Sequence, residues 1–94
     1  GSVAGKVGEK LKEISKDIQV LTITHLPIVA SMADNQYHIY KVFGENSTST
    51  KIELLDVENR VKMLAGMITP GNNNEKAIDL AKAMLKSNNP NIEI

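Results

Sequence analysis

The sequence predicts an α/β fold with an incomplete sheet, in the order α-β-α-β-β-α-α. Three observations carry that prediction. The stretch Val20-Leu21-Thr22-Ile23-Thr24 is a run of β-prone residues without polar alternation, the pattern of a strand buried on both faces. Two further β-prone runs, Tyr37–Phe43 and Thr48–Leu54, flank Gly44-Glu45-Asn46-Ser47, which reads as a hairpin loop. Apolar residues recur at spacings of three and four in the segments before and after these strands, the mark of amphipathic helices.

The 94 residues are enough for one small domain at most, and the balance of eleven acidic against eleven basic side chains removes the basic surface that binding nucleic acid by this segment alone would need. Without cysteine there is neither a disulfide framework nor a thiolate metal site, which fits a cytoplasmic setting. No apolar run reaches the roughly 20 residues of a membrane-spanning helix, and no signal peptide is visible. Aromatic residues make up only 3%, a thin supply of large core side chains, so the chain reads as a piece of something larger. Gly1-Ser2 has the look of a scar left by tag cleavage, residues 3–87 form the predicted domain, and residues 88–94 form a predicted flexible tail.

Taken in order, Val3, Val7, Leu11 and Ile14 make one apolar stripe on a first helix. Gly5 and Gly8 weaken that helix by up to about 1 kcal/mol each, so they predict close backbone approach to a neighbour. A helix followed by a buried parallel-type strand is half of a βαβ unit, and its other strand is missing. Pro27 suits the first position of a helix, because the N–H it lacks has no partner there; that helix is expected over residues 27–33, ended by Asp34-Asn35. In the second hairpin arm Thr50, Ile52 and Leu54 alternate with Ser49, Lys51 and Glu53, which predicts one wet face. Asp56 is a suitable N-cap for the next helix, whose stripe is Val57, Val61, Leu64, Ala65 and Ile68 and which Pro70-Gly71 stops. Asn72-Asn73-Asn74 forms a loop whose last residue caps the final helix, with Ala77, Ile78, Ala81, Met84 and Leu85 on one face.

His25 is the candidate for chemistry. It leaves the carboxyl end of the predicted strand, the edge at which open α/β sheets bind ligands, and imidazole both donates and accepts hydrogen bonds. The plainer alternative is a histidine that caps the corner. Only His38 could assist it in holding a metal, and neither HxxxH nor HExxH spacing occurs, so no metal site is expected. Asp34, Asp56 and Glu58 have simpler roles as turn formers and helix caps. Lys10, Lys12, Lys16, Arg60 and Lys62 alternate with acids and read as solvated helix faces. Neither GxxxxGK[ST] nor GxGxxG occurs, and no nucleophile–base pair stands out, so these residues alone are not expected to run a reaction.

Three blocks, VAGKVGEKLKEIS (residues 3–15), QVLTITHLPIVASMAD (residues 19–34) and LLDVENRVKMLAGMI (residues 54–68), resemble the carboxyl-terminal end of the RecN family, whose members act in bacterial recombination and DNA repair and carry an SMC-like, ABC-type P-loop ATPase head. The most specific part is THLPIVASMAD at residues 24–34, supported by Leu55-Asp56, Glu58, Arg60 and Val61. The resemblance implies that the chain is the C-terminal part of such a head, with Val3 following closely on the D-loop. It implies that His25 is the switch histidine, which approaches the γ-phosphate of ATP and the attacking water. It further implies that ATP and Mg²⁺ are bound by the parent protein rather than tightly by this piece. The Walker A lysine, signature motif and Walker B glutamate are absent from the chain, and their roles are not carried over. The implied partners are the rest of the head, a second head in an ATP-dependent dimer, and DNA through the parent, with nucleoid association in the cytoplasm and no membrane. The orphan strand also predicts self-association. Ile28 departs from the glutamine usual in relatives, which puts a polar contact there in doubt. Another SMC- or ABC-class head, or a non-enzymatic interaction module, is the alternative reading.

Overall fold

The architecture is set by one pair of helices. A computed structural model describes residues 3–71 and 74–94, which form α1 (Val3–Ile14), α2 (Pro27–Ser31), β1 (Tyr37–Phe43), β2 (Thr48–Leu54), α3 (Val57–Ile68) and α4 (Glu75–Asn88). Gly1-Ser2, read as a tag scar, and Asn72 and Asn73 of the predicted loop lie outside the described residues. The starts of α3 and α4 both follow from local chemistry. Asp56 Oδ1 accepts the Asn59 N–H at 2.8 Å to start α3, and Asn74 Oδ1 accepts the Ala77 N–H at 2.8 Å to start α4. Beyond α3, Gly71 takes φ +78°, a left-handed conformation that glycine adopts without a Cβ penalty.

Val61, Leu64 and Ala65 of α3 pack against Ala77, Ala81 and Leu85 of α4, with Ala30 of α2 completing the cluster. Leu64 and Leu85 are fully buried, and each contributes roughly 1.5–3 kcal/mol of transfer free energy. The facing alanines let the two helices approach closely. Ile92 packs against the same cluster, and Asn88 and Asn89 bond to α2, so the segment predicted as a tail from residue 88 starts inside α4 and folds back on the core.

The hairpin is formed with the predicted arms and loop: β1 and β2 pair antiparallel from Tyr37↔Leu54 to Phe43↔Thr48, and the Gly44 N–H donates to the Ser47 carbonyl at 2.7 Å. Its base is closed where the Leu55 N–H donates to the Gln36 carbonyl at 2.9 Å, and Arg60 Nε of α3 ties it to the helices by donating to Gln36 Oε1. No helix covers it. Tyr37, Ile39, Phe43, Ile52 and Leu54, which share one face by register, are all exposed, so the face predicted to be buried is wet as well.

Two expectations are corrected. Residues 20–24 are not a strand: residues 19–26 have no regular secondary structure, and Leu21 and Ile23 are 84% and 94% exposed. A strand needs a neighbour for its backbone N–H and C=O groups. Among the described residues the only ladder joins β1 to β2, which turn away and pair with each other. The element order is therefore α-α-β-β-α-α, a small α/β unit with a two-stranded antiparallel sheet. The stripe of α1 is also rotated from the predicted one. Val3 and Val7 are exposed, whereas Gly8 is buried and Ala4, Leu11 and Ser15 on its face are half-buried. The expected close approach is found at Gly8, where a Cβ would stand 2.4 Å from Met32 Sδ.

Candidate functional site: the histidine corner before α2

His25 lies two residues before Pro27, the first residue of α2, with its side chain exposed. The turn around it is fixed locally. Thr24 Oγ1 accepts the Leu26 N–H at 3.0 Å, bracketing His25, and the Leu26 carbonyl accepts the Ala30 N–H at 3.1 Å to begin the helix. Pro27 at the helix start leaves no unpaired donor there. The imidazole is thus carried on a defined backbone and faces solvent.

A helix of five residues has little stability of its own. Its hold comes from the other end, where the Ala30, Ser31 and Ala33 carbonyls accept from Arg60 of α3 and from Asn89 just beyond α4. Arg60 is 5% exposed. One of its terminal nitrogens donates to the Ala30 carbonyl at 3.2 Å and the Ala33 carbonyl at 2.5 Å, and Nε donates to Gln36 Oε1 at 3.1 Å. From α4, Asn88 Nδ2 donates to Ser31 Oγ at 2.9 Å, and from just beyond it Asn89 Nδ2 donates to the Ser31 carbonyl at 2.7 Å. Burial pushes the affinity of the Arg60 guanidinium for its proton below the usual arginine value, an effect that nearby Asp34 opposes. The partial negative charge of the carbonyls at the helix end favours the cation in that place.

The remaining polar residues have the plain roles expected of them. Asp34 is paired with Lys12, Asp56 caps α3, and Glu58 lies 3.7 Å from Lys62 one turn away. His38 stacks on Tyr40 with ring centroids 5.0 Å apart. Among the described residues no group of three or more His, Asp or Glu side chains could hold a metal. A shallow groove of about 720 Å³ between the hairpin base and α3 is lined by His38, Glu53, Asn59 and Lys62 among others, and His25 is not part of it. Arg60, placed by its sequence neighbours on a solvated face, is instead a buried donor. Its position between Val57 and Val61, on the buried side of α3, carried the signal that a charged residue faced inward.

Among the described residues the geometry defines a small α/β unit of four helices and a two-stranded ribbon, with His25 exposed ahead of α2. No family model matches the chain. It is 40% identical over 85 residues to a protein of Rickettsia felis named DNA repair protein RecN, a match covering 90% of this chain and 16% of that protein. The like-named protein of Haemophilus influenzae is 36% identical over 85 residues, covering 90% of this chain and 15% of that protein. That of Bacillus subtilis is 40% identical over 68 residues, covering 72% and 12%. Over most of its length the chain is similar to proteins named DNA repair protein RecN, and it spans about one sixth of the length of those curated relatives. No helix among the described residues is long and apolar enough to cross a membrane.

Proposed function

We propose that this chain is the C-terminal segment of the head of a RecN-type DNA repair ATPase, and that it supplies His25 to an ATP site completed by polypeptide outside these residues. The observation that carries the proposal is the corner itself, an exposed imidazole ahead of a short helix fixed by Arg60, Asn88 and Asn89, in a chain 40% identical to a DNA repair protein. The described residues offer an imidazole but neither a phosphate cradle nor a carboxylate cluster for Mg²⁺, so those parts would come from the rest of the head. Bound there, Mg-ATP supplies the transferable phosphoryl group. His25 then donates a hydrogen bond toward the charge developing on that group and holds the attacking water in line, an electrostatic and positional role. The exposed segment at residues 20–24 and the open hairpin face would be covered by the rest of that head, with a second head and DNA as further partners of the whole protein.

The test is His25→Ala in the full-length protein. Turnover is expected to fall on the order of 100-fold, as when one preorganised donor is removed, with nucleotide affinity changed less than about threefold. Equal losses of turnover and affinity, or no loss of either, would sink the proposal.

A further inference from the structure

The exposed histidine sits at one end of α2, and every side-chain anchor of that helix to α3 and α4 sits at the other. We infer that Arg60 is a positioning residue for His25: gripping the Ala30 and Ala33 carbonyls, it sets the pose of α2 and with it the place of the imidazole. The inference rests on the ATP-site role proposed for His25 and deepens it.

The lever is short and its joints are few. From Ala30 back to His25 the path runs through the Ala30 N–H bond to the Leu26 carbonyl and the Thr24 bond to the Leu26 N–H, so motion at the Arg60 end carries directly to the corner. Arg60 also reaches the hairpin. Its Nε bonds to the Gln36 side chain, while the Gln36 backbone carbonyl receives the Leu55 N–H. One guanidinium thereby joins α2, α3 and the base of β1 and β2. The planar fork is suited to this, because it presents donors in several fixed directions where a lysine ammonium acts as a compact point charge. Asn89 on the Ser31 carbonyl is a second, weaker anchor from α4.

The experiment compares His25→Ala, Arg60→Met, Arg60→Lys, Asn89→Ala and the double variant His25→Ala/Arg60→Met in the full-length RecN-type protein, measuring kcat and KM for ATP. Arg60→Met is expected to lower kcat about tenfold or more with KM unchanged, since an error of about 1 Å in placing a group costs up to about 100-fold. Arg60→Lys should recover part of that loss, and Asn89→Ala should lower kcat a fewfold. In the double variant Arg60→Met should add nothing to the loss from His25→Ala, because a misplaced group and an absent group fail alike. Fully multiplicative losses would overturn the inference while leaving the role of His25 standing. An inert His25→Ala would instead overturn the function proposed for the corner. Should Arg60→Met fail to fold, the same comparison on Asn89→Ala decides, and unaltered kcat in both Asn89→Ala and Arg60→Lys counts against the inference.

Discussion

At Gly8 the docking of α1 depends on a missing side chain. Among the described elements α1 packs on α2, with Lys12 also paired to Asp34 beyond it, and next to α2 a Gly8 Cβ would run into Met32 Sδ. Gly8→Ala therefore combines two opposed effects: a gain in helix propensity of up to about 1 kcal/mol and the cost of turning aside the Met32 thioether, which is small because the sulfur is the far end of a flexible side chain. The two nearly cancel, so a change smaller than about 1 kcal/mol is expected in urea unfolding. In a Met32→Ala background the clash is gone, and the same substitution should become stabilising by up to about 1 kcal/mol. An identical effect in both backgrounds would show that the approach to Met32 does not set the sign. The sequence made the need for a close approach legible at this residue, because two glycines in a helix call for compensation. It did not make the direction legible, since Val3 and Val7 form a stripe that no described element covers. Arg60 is the converse case: its charge points to water, while its place in the Val57–Val61 turn points to the core, and the carbonyls of Ala30 and, just beyond α2, Ala33 decide between them.

The hairpin was readable to the residue because everything that forms it is local: two β-prone arms, a loop with a glycine, and an antiparallel partner within reach of a tight turn. The stretch at residues 20–24 has equal strand propensity but no adjacent partner, and propensity alone does not make a strand. Within the hairpin one diagonal pair gives a direct test of side-chain geometry. The Tyr40 hydroxyl donates to Glu53 Oε1 at 2.9 Å, and that bond, with smaller contributions from burial and the carboxylate's charge, raises the Tyr40 pKa above its ordinary 10.0. The folded pKa lies above the unfolded one, so whatever stability the pair contributes is present below about pH 10 and is lost as pH rises through the folded value. Tyr37→Phe leaves Tyr40 as the single tyrosine, which allows its ionisation to be followed by ultraviolet absorbance. Glu53→Ala in that background should move the midpoint down toward 10, and an unmoved midpoint would mean that the two side chains do not meet in solution.

The whole molecule is extended for its length: its radius of gyration is 14.5 Å, against about 12 Å for a compact chain of this size. The excess comes from parts that no other part covers, namely the hairpin and the irregular stretch ahead of His25. On the hairpin face Ile39, Phe43, Ile52 and Leu54 are 53%, 76%, 64% and 59% exposed, and both of its edges are unpaired among the described residues. Open edges beside apolar surface recruit further strands, and a net charge of zero supplies no repulsion between copies. Sedimentation of this chain should therefore show an average mass that rises with concentration. The pair Phe43→Glu and Ile52→Lys should shift it back toward monomer without altering the helices, because α3 and α4 make no use of that face. A single monomeric species at every concentration would show that the exposed surface is tolerated in water. Self-association unchanged by the pair would move the contact to residues 20–24, where Leu21 and Ile23 are the other strongly exposed apolar side chains.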